Sequence, residues 1–207
     1  NGTTEDLRIE GGAGNDIVTY QNYRASSVSI DLGDGDDRLT LWTPQSGGTT
    51  ITTGQGSDVL EFSSLYSLSG DARITITDFA AGAGGDTIDL TQIFSNLAGW
   101  NGTNPFGTEY ARLVQAGSDT LVQIDRDAGG SSYGWVTLAT LQSTNAYAII
   151  ADNLGGYAPV AFSAAEVATA YVTTSGSISE GSGNSLVTTL TLQNVSTASG
   201  TVRGSAL

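Results

Sequence analysis

Gly11-Gly12-Ala13-Gly14-Asn15-Asp16-Ile17-Val18-Thr19 returns, altered but in step, as Leu32-Gly33-Asp34-Gly35-Asp36-Asp37-Arg38-Leu39-Thr40. It returns again as Thr53-Gly54-Gln55-Gly56-Ser57-Asp58-Val59-Leu60-Glu61 and as Ala81-Gly82-Ala83-Gly84-Gly85-Asp86-Thr87-Ile88-Asp89. Each copy reads x-G-x-G-x-D-x-apolar-x. The first motif glycine recurs at 12, 33, 54 and 82, so two steps of 21 residues precede one of 28. The longer step is assigned to an insertion within Ser63 to Gly70. Self-similarity at a fixed period of this size signals a repeat architecture.

The apolar positions keep the same period. Val18 and Tyr20, Leu39 and Leu41, Leu60 and Phe62, and Ile88 and Leu90 follow the four loops in alternation. Alternation gives a short strand with one inward face. A second strand precedes each loop, with Ile9, Ile30, Ile51 and Phe79 three residues ahead of the first motif glycine. Leu7 and Val28 stand two residues earlier, and Thr49 takes that place in the third coil. Ile74 and Ile76 fall out of this frame by one residue, so a bulge or register change is expected there. One coil is therefore loop, strand, turn, strand. The expected fold is all-β: a parallel two-sheeted solenoid in which equivalent side chains form ladders.

The loops carry the chemistry. Their glycines allow backbone conformations closed to other residues, so carbonyl oxygens can turn toward a shared point. Stacking at the strand spacing of about 4.8 Å brings Asp16, Asp37, Asp58 and Asp86 into one column of like charges. Such a column is destabilising unless cations intervene. Calcium accepts six to eight oxygens in flexible geometry, which suits carboxylates mixed with carbonyls.

These loops resemble the nonapeptide repeats of RTX proteins, whose fold is a parallel β-roll with calcium held between stacked loops. The resemblance implies that the earlier loop of each pair gives two carbonyls and its aspartate, and the later loop does likewise. Carried onto this chain, the first ion takes Gly12, Gly14, Asp16, Leu32, Asp34 and Asp37. The second takes Gly33, Gly35, Asp37, Thr53, Gln55 and Asp58. The third takes Gly54, Gly56, Asp58, Ala81, Ala83 and Asp86. RTX coils usually bear such loops on both sides. Here the opposite turns, Gln21 to Ser26 and Thr43 to Gly48, lack the motif, so a single metal-binding edge is expected. Gly2 to Asp6 is a partial copy with Thr4 where glycine is wanted, and it is not counted as a site.

Composition narrows the alternatives. Twenty-one acidic residues face seven arginines, for a net charge of −14, and Lys, His, Cys and Met are absent. No Ser–His or Cys–His couple, imidazole ligand, disulfide or zinc finger can be built. The negative charge disfavours nucleic acid and anionic lipid. No apolar run reaches the roughly 18 residues that span a bilayer as a helix. An oxygen-only ligand set favours hard cations. A chain that opens on Asn1 without methionine reads as a fragment or a processed product. Its 28 glycines and abundant Ser and Thr fit an exported, turn-rich β protein.

Three parts are expected: a roll over 1–94, a β-rich cap over 95–172 and a tail over 173–207. Ile76-Thr77-Asp78-Phe79, the run from Gly84 to Phe94, the run from Gly117 to Gly130 and Val136 to Leu141 resemble the closing block of RTX proteins exported by type I secretion. Similar blocks end serralysin-type proteases and the R-modules of alginate epimerases. Leu121, Ile124, Trp135, Val136, Leu138, Leu141, Ile149 and Ile150 are expected to cover the last coil, because open solenoid ends invite pairing. Asp125 and Asp127 with Gly129 and Gly130 read equally as another calcium loop or as an acidic turn. Trp100, Phe106 and Tyr110 are expected to pin a long loop in preference to binding sugar. A short helix is expected over Phe162 to Tyr171. The tail, with Leu186, Leu190 and Leu192, weakly resembles the opening of a Calx-beta or Ig-like module and is too short for a sandwich.

The function these features imply is non-enzymatic. The chain reads as a calcium-binding roll and cap of a larger secreted bacterial protein, folding on extracellular calcium and acting as scaffold and secretion module. The implied partners are calcium ions, the type I secretion machinery and, through the tail, a second copy or a cell-surface partner. Two alternatives are a surface adhesin or surface-layer assembly module, and an accessory polysaccharide-binding module of a secreted enzyme.

Overall fold

A computed structural model describes residues 6–21, 27–42, 48–63, 71–97 and 99–163. The expected helix over 162–171, the tail, most of the turns opposite the loops and most of the 63–70 insertion lie outside these residues. Where the helix was expected to begin, the chain instead forms a strand at Ala161–Ser163.

Two sheets build the roll. The strands ahead of the loops are β1 (Leu7–Ala13), β3 (Ser27–Asp34), β5 (Gly48–Thr52) and β7 (Ile74–Ile76). Those behind the loops are β2 (Ile17–Tyr20), β4 (Arg38–Leu41), β6 (Val59–Phe62) and β8 (Thr87–Asp89). Every neighbouring pair within each set is parallel. The ladders run as the alternation requires. Ile9, Ile30, Ile51 and Ile76 stand in one row, and Val18, Leu39, Leu60 and Ile88 in another. Inward-facing members are buried from the second coil onward, while Leu7, Ile9 and Val18 of the first are only partly covered.

The fourth coil corrects the expected frame. Ile76, not Phe79, continues the Ile9–Ile30–Ile51 row. The step between coils is 25 residues at Thr52–Thr77 and 28 at Asp58–Asp86, against 21 earlier. Four extra residues therefore precede β7 and three follow it, so the insertion is split. Phe79 leaves the ladder and is buried in the core by a separate route.

The cap continues the larger sheet. A five-residue helix, α1 (Thr91–Ser95), buries Ile93 and Phe94. Then β9 (Ala111–Ala116), β10 (Asp119–Ile124) and β11 (Val136–Leu141) form an antiparallel meander, and β12 (Ala161–Ser163) lies parallel to β9. β11 pairs in parallel with β7 through Thr140–Thr75 and Leu141–Ile76. The sheet order is β1-β3-β5-β7-β11-β10-β9-β12, so one sheet crosses the expected boundary at 94/95. Of the residues expected to cover the last coil, Ile124, Leu138, Leu141 and Ile149 are buried. Leu121, Trp135 and Val136 are only partly so, and Ile150 is exposed. Their places in the core go to Leu113, Val122 and Ala139. Phe106 is buried, and Trp100 packs against Phe94 and Tyr157 with ring centroids 5.7 and 6.5 Å away. The aromatic residues of the 98–110 excursion thus anchor it.

Candidate metal centre

Each loop carries the chain from one sheet to the other. In the second and third loops the motif glycines abut the loop before, whereas a Cβ on Gly82 or Gly84 of the fourth would meet nothing within 4 Å. Gly33 has a φ of 97° and Gly54 a φ of 95°, in the region that disfavours a side chain. A Cβ on Gly33 would overlap the Gly12 carbonyl oxygen, and one on Gly54 would overlap that of Gly33. Gly35 and Gly56 meet the carbonyls of Gly14 and Gly35 in the same way. The carbonyls of Gly12, Gly14, Gly33 and Gly35 therefore point along the stack. Asp34 O accepts from Gly14 N–H at 2.7 Å and Gln55 O from Gly35 N–H at 2.8 Å. Each carbonyl still has a second lone pair.

The aspartates form the expected column. Asp16 N–H donates to Asp37 Oδ1 at 2.7 Å, Asp37 N–H to Asp58 Oδ1 at 2.8 Å, and Asp58 N–H to Asp86 Oδ1 at 3.1 Å. One oxygen of each carboxylate is used in this way from Asp37 onward. The other oxygen is not: Asp16 Oδ2, Asp37 Oδ2 and Asp58 Oδ2 are all buried without a hydrogen-bond partner. A buried carboxylate oxygen left bare is costly. A methyl group on Gly11 would meet Asp16 Oδ2 at 2.9 Å and would overlap the Leu32 carbonyl oxygen. Two oxygen acceptors thus lie close to one point. The arginines described in these coils do not neutralise them, because Arg8 pairs with Glu10 and Arg38 with Glu61 on the outer face.

Electrostatics agree with the geometry. Asp58 is fully buried, and its pKa is pushed up to about 6. Burial is the main cause, the charges of Asp86 and Asp37 add to it, and the Asp37 amide opposes it.

Asp86 ends the column differently. Its Oδ2 accepts from Thr53 Oγ1 at 3.0 Å and from Ala80 N–H at 2.9 Å. Asp78 accepts from the amides of Thr53 and Gly54 and shares the single Thr53 hydroxyl proton with Asp86. The fourth loop is held by Asn153, which is fully buried. Its Oδ1 accepts from Gly82 N–H, and its Nδ2 donates to Gly82 O and Asp86 O. In that loop Ala81 packs against the core and Ala83 is exposed.

In fold, the chain is similar to the AlgE6R3 subunit of the Azotobacter vinelandii mannuronan C5-epimerase, known from a solution structure. The TM-score is 0.50 at 19% identity, over 92% of this chain and 94% of that one. At that identity the likeness concerns the fold: an all-β roll of parallel strands. No family model matches the sequence, and no curated protein matches it.

Several residues of this edge were not singled out by the motif. Asn15, Asp36 and Ser57, at the fifth position, form a second ladder running in the opposite sense. Asp36 N–H donates to Asn15 Oδ1, and Ser57 N–H donates to Asp36 Oδ1. Three small polar residues at a variable position were the available signal. Asp78 lay in the Ile76–Phe79 run that resembles the RTX closing block but carried no assigned role, and Asn153 had no signal, since it lies 71 residues from the glycine it holds. Among the described residues no point gathers three or more acidic side chains, so any ion at this edge depends on carbonyls as well as carboxylates.

In the cap, Asp125 is buried and its pKa is also pushed up to about 6, chiefly by burial. Asp127 Oδ2 accepts from the amides of Ser132 and Tyr133, and its Oδ1 is buried without a partner. Asp125 Oδ1 accepts from Asp127 N–H at 3.1 Å, the geometry of an Asx turn.

Proposed function

We propose that the loop edge binds calcium, one ion between each pair of successive coils, and that the chain is the non-catalytic roll and cap of a larger secreted protein. The observation that carries this reading is the row of three buried, unpartnered oxygens on Asp16, Asp37 and Asp58. Their number equals the number of gaps between four loops. A divalent cation there supplies the positive charge that the column lacks. The ligands are those of the repeat: Gly12, Gly14, Asp16, Leu32, Asp34 and Asp37 for the first ion. The second has Gly33, Gly35, Asp37, Thr53, Gln55 and Asp58. The third has Gly54, Gly56, Asp58, Ala81, Ala83 and Asp86. Carboxylates mixed with carbonyls suit calcium better than magnesium, which demands octahedral geometry and keeps its waters.

The role that follows is folding on demand. Extracellular calcium modules bind with dissociation constants of roughly 10⁻⁴–10⁻³ M. Scarce calcium inside a cell leaves such a roll unfolded, and calcium outside folds it. Export by a type I machinery and service as a scaffold fit that behaviour. A surface adhesin or an accessory polysaccharide-binding module would use the same switch, and the domains flanking the full protein would separate them.

Isothermal titration tests the ion assignment. Asp37 belongs to two ion sites and Asp16 to one. Asp37→Asn is therefore expected to remove about two bound calcium ions and Asp16→Asn about one. Equal losses would sink the shared column.

A further inference from the structure

The two ends of the roll differ. At the far end β11 covers β7, and the 3-10 turn Ala151–Leu154 lies against the last strand of the smaller sheet, where Asp152 O accepts from Thr87 Oγ1. At the near end, among the described residues, β1 and β2 have a neighbour on one side only. Leu7, Ile9 and Val18 are partly exposed there, although their ladder partners Val28, Ile30 and Leu39 are buried. β1 offers seven residues of edge without lysine or proline, the usual guards against pairing.

We propose that this edge pairs with the same edge of a second copy, antiparallel about a two-fold axis through Ile9. The register follows from the hydrogen bonds and the charges. In β5, Thr49 N–H donates to Arg73 O and Ile51 O accepts from Thr77 N–H, so these two residues turn their main-chain groups to the next coil. Their equivalents in β1 are Leu7 and Ile9. The main-chain groups of Arg8 and Glu10 therefore face the free edge. Antiparallel pairing about Ile9 sets Arg8 of each copy opposite Glu10 of the other as hydrogen-bonded pairs. The two Ile9 side chains then meet in the closer, non-hydrogen-bonded position on the inner face. The adjacent registers that keep faces and edge groups matched centre on Arg8 or on Glu10 and oppose like charges. Of these three registers only the one about Ile9 is self-complementary; a register about Leu7 would also oppose Arg8 to Asp6, but it gives Glu10 no charged partner, so Glu10→Arg separates the two. Arg8 and Glu10 are mostly exposed and pair with each other at 2.5 Å in the single chain, so they are available for the exchange. Because the contact is isologous, it uses the same edge of both copies and closes at two rather than growing into a fibre.

Sedimentation velocity on the 207-residue chain in calcium, over a range of concentrations, tests the pairing, with circular dichroism confirming the fold of each variant. The wild type is expected to form a concentration-dependent dimer. Arg8→Glu and Glu10→Arg should each weaken it about tenfold, since either change puts two like-charged pairs across the axis. The double variant R8E/E10R should restore it. An equimolar mixture of the two single variants should also dimerise, because each is complementary to the other and not to itself. A monomer at every concentration overturns the proposal. So do open-ended polymers, and so does association that ignores all three variants, which would place the contact elsewhere, as in residues 173–207. Loss of the dimer in both single variants without recovery in the mixture overturns it as well.

Discussion

Asp58 and Asp86 are neighbours in one column, yet their second oxygens meet opposite fates. Asp58 Oδ2 is buried and bare, whereas Asp86 Oδ2 is held by the Thr53 hydroxyl and the Ala80 amide. The contrast extends to the regions they belong to. The first three coils repeat an acid column that the protein does not neutralise. The fourth coil and the cap are tied by the chain itself: Asn153 grips Gly82, Asp71 accepts from Thr137 N–H, and Asp119 accepts from Ser143 N–H. One region is thus built to need a ligand, and the other is mostly complete without one. Asp127, with one bare oxygen, is the exception in the cap.

The largest expected break in that contrast comes from removing calcium. Three sites at tenfold excess over their dissociation constants contribute on the order of 4 kcal/mol, comparable with a small domain's whole stability. In chelator, amide exchange over residues 11–62 should accelerate strongly, while β9, β10 and β11 keep more of their protection. Uniform acceleration would show that roll and cap unfold as one unit.

Next in size is Gly33→Ala, compared with Gly102→Ala. Both glycines have positive φ, 97° and 84°. Only Gly33 faces a carbonyl of the preceding coil, whereas a Cβ on Gly102 meets nothing within 4 Å. Backbone strain alone costs about 1–2 kcal/mol. Thermal or urea unfolding in calcium should show about that loss for Gly102→Ala and at least about 2 kcal/mol more for Gly33→Ala. Equal losses would mean that the loops do not stack so closely.

A smaller effect appears on changing pH without calcium. Asp58 and Asp125 have folded pKa values raised to about 6 from an ordinary 3.8. Between those limits the folded chain binds protons that the unfolded chain has released, so stability falls as pH rises from about 4 to 6. Urea midpoints of the chelated protein should therefore increase on acidification through that window. Asp58→Asn should remove the roll's share and Asp125→Asn the cap's. In calcium the roll's share should reverse sign, because protonating Asp58 competes with the ion.

The smallest expected change is a gain. Thr49 is buried in the row of Leu7, Val28 and Ile74, with no partner for its hydroxyl. Thr49→Val should stabilise the roll by about 1 kcal/mol, measured by thermal unfolding. A loss would reveal a partner for that hydroxyl.

The sequence by itself determined the coil, its loops and the aspartate column, because a fixed period makes each residue's neighbour predictable by counting. Gly12, Gly33 and Gly54 stack 21 residues apart, and Asp16, Asp37 and Asp58 follow them. Counting failed where the period broke: the insertion divided around β7, and Ile76 displaced Phe79 from the ladder. The tertiary structure alone decided how the column ends. Asn153 reaches Gly82, and Asp78 reaches the Thr53 and Gly54 amides, through contacts that no local pattern encodes. It also decided which cap residues form the core, since strand alternation leaves the inward face open until a neighbour covers one side. Val122 and Leu113 turned inward, and Leu121 did not, because β10 docks on the roll through β11 and β7.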